Sequence, residues 1–218
     1  MHAQNQSKKA TKLAEDFISA ALSENEIIKY PVRKWQKDTI SYYIYGEQTV
    51  LRRKNWDQFL YDVSVSSGLY FQQVDQYESA DILMYFGTVS SYLTFIDHVS
   101  INSNLTNYSN WSSRKWKKTN ELSKSSFCVD TAKLNNSNEA IYYLKKYFIK
   151  SLGILGDVPG EYSLFNAKFN GKNYNFLTAD KRLLKLLYDK RISSGMNESE
   201  LRTILKSMDL EVLSNEKL

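Results

Sequence analysis

Residues 145–155 read KKYFIKSLGIL, and how this stretch is interpreted decides the fold. Ile141, Leu144, Phe148 and Leu152 recur at intervals of 3, 4 and 4, which draws one apolar line along a helix. The helix is predicted to start near Asn138, whose side chain can cap the first turn, and to end at Leu152, where Gly153 supplies the stop. Lys146 and Lys150 share a side of this helix, about 140° to 180° away from Ile141. They are expected to face a cleft or solvent. Solvated ammonium groups are the plainer expectation there, and a cationic floor for an acidic partner or anion is the sharper one.

Upstream, residues 7–24 carry Leu13, Phe17, Ala20 and Ala21 at helical spacing. Pro31 bars a helix from continuing, and the β-branched and aromatic run 39–45 reads as a strand ended by Gly46. A second helix is predicted over 50–66, closed by Gly68, followed by strands LYFQQV (69–74) and ADILMYF (80–86). The second of these strands is apolar enough to be central. Residues 87–126 are rich in Ser, Asn, Thr and Tyr and read as an irregular excursion holding one or two ragged strands. A short strand is expected at 126–130.

Downstream of the opening stretch, Asn170-Gly171 is a hairpin signal. Thr178 is expected to cap the helix ADKRLLKLLYDKRI, and Asn197 with Glu200 makes a capping-box start to a last helix. The fold class read from this order is α+β, with a mixed, mostly parallel sheet packed on helices and an extra C-terminal helix. The domain reading is an N-terminal helix and lead-in over 1–30, a central domain over 31–196 containing the excursion 87–126, and a C-terminal helix and tail over 197–218.

The chain has 218 residues, 42% apolar and 24% charged, which is long enough for one well-buried core. The net charge of +5 permits contact with nucleic acid or an anionic membrane without demanding it. The densest basic run is Arg114, Lys115, Trp116, Lys117 and Lys118, whose aromatic could stack a base, although lysines guarding an edge strand read the same way. Cys128 is the single cysteine, so an intramolecular disulfide and a cysteine metal cluster are excluded. The chain holds no apolar run of about 18 residues, so no transmembrane segment is expected. The beginning MHAQNQSKK lacks a signal peptide's apolar stretch, and His2-Ala3 would suit the end of a trimmed one.

Several stretches in order resemble the zincin fold and, within it, the matrixin-like metzincins. KWQKDTISYYIYG resembles their first strand, NWDQFLYDVSVSSGLYFQQV their long helix and second strand, and SADILMYFG their Ala-Asp-Ile strand beside the cleft. KKYFIKSLGIL is similar to the active-site helix, YSLFN to the turn beneath the metal, and LTADKRLLKLLY to the closing helix. A closer resemblance, carried by FISAALSENE, VRKW, SLFN and LTADKRLLKLLYDKRISSGM, is to a domain-of-unknown-function family of bacterial lipoproteins and secreted proteins. It implies a bacterial, extracytoplasmic location in the periplasm, cell envelope or medium, and no known activity.

A working metzincin needs H-E-x-x-H-x-x-G-x-x-H, with histidines at i and i+4 holding zinc and the glutamate acting as general base. With Gly153 as anchor, those positions hold Lys146, Tyr147, Lys150 and Gly156. An ammonium group repels a divalent cation and offers no lone pair. Asp157 is the single potential ligand close by, and the two histidines are His2 and His98. An ordinary zinc hydrolase is thereby excluded, and no cofactor is expected.

Phe165 stands where metzincins place a methionine under the metal, and reads as core. Asp81 could be a cleft carboxylate or a strand-start acid bonded to backbone or a nearby arginine. Asp97 and His98 are adjacent, so as strand neighbours they would point to opposite faces. Asp189 and Arg191 read as a structural pair. The functional expectation is a non-catalytic, metal-free binding or interaction protein with a protein or peptide partner and possible envelope association; no nucleic acid is expected. The candidate cleft comprises Asp81, Leu83, Tyr85, Lys146, Tyr147, Lys150 and Gly156, where an extended peptide could pair beside ADILMYF. The competing readings are a non-zinc hydrolase using Asp81 and Asp97, and a basic surface at 114–118 for an anionic polymer or membrane.

Overall fold

The computed structural model describes residues 2–22, 30–46, 53–97, 107–134 and 136–216. Five strands, β1 (Thr39–Gly46), β2 (Tyr70–Gln73), β3 (Ile82–Phe86), β4 (Asn110–Trp116) and β5 (Leu122–Val129), form one sheet in the order β2-β1-β3-β5-β4. β2, β1, β3 and β5 run parallel, and β4 joins β5 antiparallel. Among the described residues seven α-helices accompany them: α1 (His2–Leu22), α2 (Arg53–Ser67), α3 (Val89–Phe95), α4 (Ser137–Lys150), α5 (Thr178–Leu187), α6 (Glu198–Ser207) and α7 (Leu210–Asn215). The architecture is the expected α+β class with a mostly parallel sheet, and helices follow the last strand to the C-terminus.

Every residue of β3 is buried, as its apolar run predicts for a central strand. Alternation along it divides the core in two. Ile82, Met84 and Phe86 join the main core, which α1, α2, α4 and α5 cover, whereas Leu83 and Tyr85 face a smaller cluster beneath α3 with Val89, Tyr92 and Leu93. Phe148 of α4 lies in an aromatic box of Trp56, Phe59, Phe71 and Tyr42 at centroid distances of 5.1, 5.9, 5.3 and 6.3 Å. Such pairs contribute roughly 0.5–1.5 kcal/mol each beyond their burial, so the apolar line of α4 is anchored firmly to the sheet. α1 packs against α5, α6 and α7, and the Arg202 guanidinium grips the Glu15 carboxylate at 2.6 and 3.0 Å.

Several sequence expectations are corrected. The excursion contains α3, whose N-cap Thr88 accepts from the Ser91 N–H and whose Val89, Tyr92 and Leu93 fall at the i, i+3, i+4 spacing that covers the sheet. The strand expected at 126–130 begins at Leu122. The cap of α4 is Asn136 rather than Asn138, and it accepts from the Glu139 N–H at 2.9 Å. Leu177, not Thr178, precedes α5, and the buried Asp180 carboxylate there accepts from the Leu177 and Leu164 N–H groups and the Ser163 hydroxyl. Asn170-Gly171 makes no hairpin: the Asn170 side chain accepts from the Lys172 N–H in a local turn, and Asn173 reaches back to the Lys168 carbonyl. The capping box of Asn197 and Glu200 is present as expected.

The corner after α4 is held from both sides. Tyr188 donates its hydroxyl to the Leu152 carbonyl at 2.8 Å and the Trp35 indole donates to the Ser151 carbonyl at 2.9 Å. The buried Lys34 ammonium caps the Leu187 carbonyl at 3.1 Å. Gly153 has φ +114, and a Cβ there would stand 2.0 Å from the Arg33 carbonyl oxygen. Gly153→Ala is therefore expected to cost about 3 kcal/mol, combining backbone strain with a clash that no side-chain rotation relieves. Urea unfolding with the slope m unchanged is the check, and a variant as stable as the parent would refute this account of the corner.

Candidate functional site

The C-terminal half of α4 carries two ammonium groups into the protein. Lys146 and Lys150 lie one turn apart on the helix face away from the aromatic box, and residues 151–157 then fold back across them. The two residues retain only 5% and 8% of their exposure. The expectation that they are solvated is overturned: residues 155–157 and Asn166 bond the two ammonium groups and form a second layer over this face, which the apolar line of the helix does not reveal.

Asp157 supplies the counter-charge. Its Oδ1 is buried, 2.9 Å from Lys146 Nζ and 3.5 Å from Lys150 Nζ, a shared ion-pair centre without an aligned hydrogen bond. Lys146 also donates to the Tyr142 hydroxyl at 3.0 Å and to the Asn166 carbonyl, which accepts from Tyr142 as well. Lys150 donates to the Leu155 carbonyl at 2.7 Å. Burial pushes the Lys150 ammonium down from 10.5 to about 8, opposed by Asp157 and reinforced by the charges of Lys146 and Arg114. Lys146 is shifted down for the same leading reason, with Asp157 again opposing.

The wall beside this cluster is β4. Its residues Asn110, Ser112 and Arg114 stand opposite Val129, Phe127 and Ser125 of β5, and Phe127 and Val129 belong to the main core that α4 covers. Tyr147 reaches across to donate to Asn110 Oδ1 and stacks on Phe127 at 6.1 Å. Burial lowers the half-buried Arg114 guanidinium to about 10, which leaves it charged at neutral pH. Gly156 is buried next to Asp157, with its N–H donating to the Ala20 carbonyl at 2.8 Å.

The remaining candidates do not join this cluster. Leu83 and Tyr85 point to the opposite face of the sheet. Asp81, at the start of β3, accepts from the Ser41 N–H at 2.7 Å, the Ser41 hydroxyl at 2.8 Å and the Lys37 ammonium at 2.5 Å. A groove beside ADILMYF is also ruled out, because β3 is paired on both edges, with β1 and β5. The edge beside the lysines belongs to β4, which among the described residues pairs on one side alone.

The basic run is dispersed as well. Arg114 turns inward. Trp116 lies under the buried Arg33 guanidinium, 3.5 Å from the ring centroid, and Lys117 pairs with Glu121 at 2.9 Å. Lys115 and Lys118 remain exposed. Asp97 follows α3 with φ 51, and His98 lies outside the described residues. Phe165 is fully buried, and Arg191 makes a bidentate pair with Asp189 at 2.8 and 2.7 Å.

Tyr142, Asn166 and Asn110 belong to the site without having been singled out. Tyr142 had a signal, since it lies four residues before Lys146 on the same helical face. Asn110 and Asn166 had none. Among the described residues no group of three or more His, Cys, Asp or Glu side chains could hold a metal ion. No helix among them is long and apolar enough to cross a membrane.

Residues 148–207 match the model of a family described as "Protein of unknown function (DUF2927)". The matched span runs from the last turn of α4 through α6, so it contains Lys150, Asp157 and the Tyr188 clamp. A search of curated proteins finds no match.

The electrostatics give a signed prediction. Lys150 binds its proton less tightly in the folded than in the unfolded chain. The cost of burying it is therefore complete below pH 8 and fades as pH rises from about 8 to 10.5. A shift of that size corresponds to on the order of 3 kcal/mol. Lys150→Met, which keeps the volume and leaves Lys146 with Asp157, is expected to be more stable than the parent at pH 7, with the difference closing by pH 10. Asp157→Asn should instead destabilise by about 1–3 kcal/mol, the carboxylate being partly exposed. Urea midpoints across that pH range decide it; a Lys150→Met variant less stable at pH 7 than at pH 10, relative to the parent, would contradict the sign.

Proposed function

We propose that this protein is a metal-free, zincin-like binding protein of the bacterial cell envelope or exterior, which holds an extended peptide along the outer edge of β4, where no strand pairs among the described residues. The observation that carries the reading is the Lys146–Asp157–Lys150 cluster. At the two helix positions where a zincin would place its first two histidines, this chain buries two ammonium groups and neutralises them with its own carboxylate. Positive charge is supplied by the chain itself, and neither ammonium group offers a metal a lone pair.

The order of elements supports the scaffold. β1, α2, β2 and β3 are followed by α4 with its Leu152-Gly153 corner, the turn around Phe165 and then α5, in the succession the resemblance implies. The envelope location is supported by that resemblance alone. The binding mode is supported by β4, an edge strand whose outer backbone groups have no strand partner among the described residues. Such an edge takes an extended chain through main-chain hydrogen bonds. The hydrolase reading has less support, because both Asp81 oxygens are already engaged by Lys37 and Ser41.

Two measurements test this reading. A labelled Val/Thr-rich peptide is expected to slow amide hydrogen exchange across residues 110–116 and to leave 70–73 unchanged; saturation without slowing in β4 would refute the mode. Replacing both lysines, as Lys146→His with Lys150→His, should create two imidazoles one turn apart facing the Asp157 carboxylate, and one equivalent of zinc or cobalt should bind. A folded double variant that takes up no metal would show that the positions lack the inferred metal-site geometry. Fractionation of cells that produce the native protein should recover it outside the cytoplasm.

A further inference from the structure

The two ammonium groups are unequally satisfied. Lys146 makes two hydrogen bonds, to the Tyr142 hydroxyl and the Asn166 carbonyl, and has Asp157 Oδ1 in ionic contact at 2.9 Å. Lys150, although nine-tenths buried, has one hydrogen bond, to the Leu155 carbonyl, and a 3.5 Å ionic contact with an oxygen that sits closer to Lys146. An ammonium group held this far from water, with protons to spare, is costly until a further acceptor arrives. The charges tell the same story, since two cations share one carboxylate and Arg114 adds positive potential from β4.

Asp157 is the group able to make room. Its side chain keeps 38% of its exposure, whereas the backbone on either side is anchored by the Gly156 N–H to Ala20 and the Val158 N–H to Phe165. Rotation of the carboxylate outward would vacate its place beside Lys150 while these two backbone bonds stay made. Exposed Lys115 and Lys118 stand at the Trp116 end of the adjoining edge, where charged side chains disfavour pairing with another sheet.

Resting on the proposed peptide-binding mode, we infer that the peptide taken by the β4 edge is acidic, and that one of its side-chain carboxylates is held by Lys150 in place of Asp157. Asp157 is then an internal stand-in for the ligand, and it keeps the buried cations neutralised while the edge is empty. A glutamine in the same place satisfies one proton and leaves the charge uncompensated, so the site discriminates by charge more than by shape.

Fluorescence anisotropy with two labelled peptides tests this: one alternating Val and Glu, the other its isostere alternating Val and Gln. In near-physiological salt the Glu peptide should bind about tenfold more tightly, the scale of one charge-assisted hydrogen bond. Lys150→Met should bring the two affinities within about twofold, whereas Lys190→Ala, at an exposed site on the C-terminal segment, should keep the preference. Equal binding of both peptides to the parent, or a preference that survives Lys150→Met, overturns the inference while the peptide-binding mode stands. Failure of both peptides to bind overturns the mode and the inference together. Displacement of the Glu peptide by a short single-stranded oligonucleotide with equal strength in the parent and in Lys150→Met would assign the attraction to surface charge and likewise overturn it.

Discussion

Much of this structure depends on the close approach of Gly153 to the Arg33 carbonyl. The chain must reverse at the end of α4 with no side chain in the way; Trp35 and Tyr188 grip the corner from two other parts of the sequence, and Lys34 ties those two parts together through the Leu187 carbonyl. Because the corner is fixed, residues 154–157 return over the outer face of α4 at one distance. That distance sets where the Asp157 carboxylate falls relative to the two ammonium groups. The long-range ties at 32–35, 151–153 and 187–196 therefore act as a frame for the charge cluster, although none of them touches it.

Buried charge is expensive, and the cluster shows how the cost is kept tolerable. Three features act together: the cations are paired, one of them makes two further hydrogen bonds, and the shared carboxylate side chain keeps contact with water. A fully buried arrangement would gain more Coulomb energy but would lose more solvation. The fold thus retains an ammonium group, Lys150, with a single hydrogen bond, within the electrostatic reach of Arg114 on β4. A hydrophobic pair in the same place would be expected to give equal or greater stability, so stability does not account for the lysines.

The sequence made the strongly periodic elements readable. The apolar line of α4, the capping box of α6 and the continuous run of β3 each carry one unambiguous signal. The polar stretch 87–126 hid α3 and β4, because Ser, Asn and Thr side chains offer the backbone local bonds, and only contact with the sheet settles which conformation prevails. The lysine positions were readable, but their burial was not. Periodicity identifies the face of a helix that must be buried and is silent about a second layer covering the other face. Leu83 and Tyr85 were misplaced for a related reason: alternation separates them from Ile82 and Met84, yet which side α4 covers is decided by chain topology.

The edge strand itself has two different halves. Towards Trp116 it ends in a register shift between Lys115 and Trp116, exposed lysines and a tight turn at Lys117–Asn120. These are the devices by which a sheet avoids pairing with another sheet. Towards Asn110 the strand is regular and half-buried, and it is tied through Tyr147 to the helix that carries the lysines. An edge protected along its whole length would simply be protected. One blunted at a single end leaves its Asn110 half as the stretch with regular, partly buried backbone and no outer strand partner among the described residues, and it is on this half that the proposed acidic segment would pair.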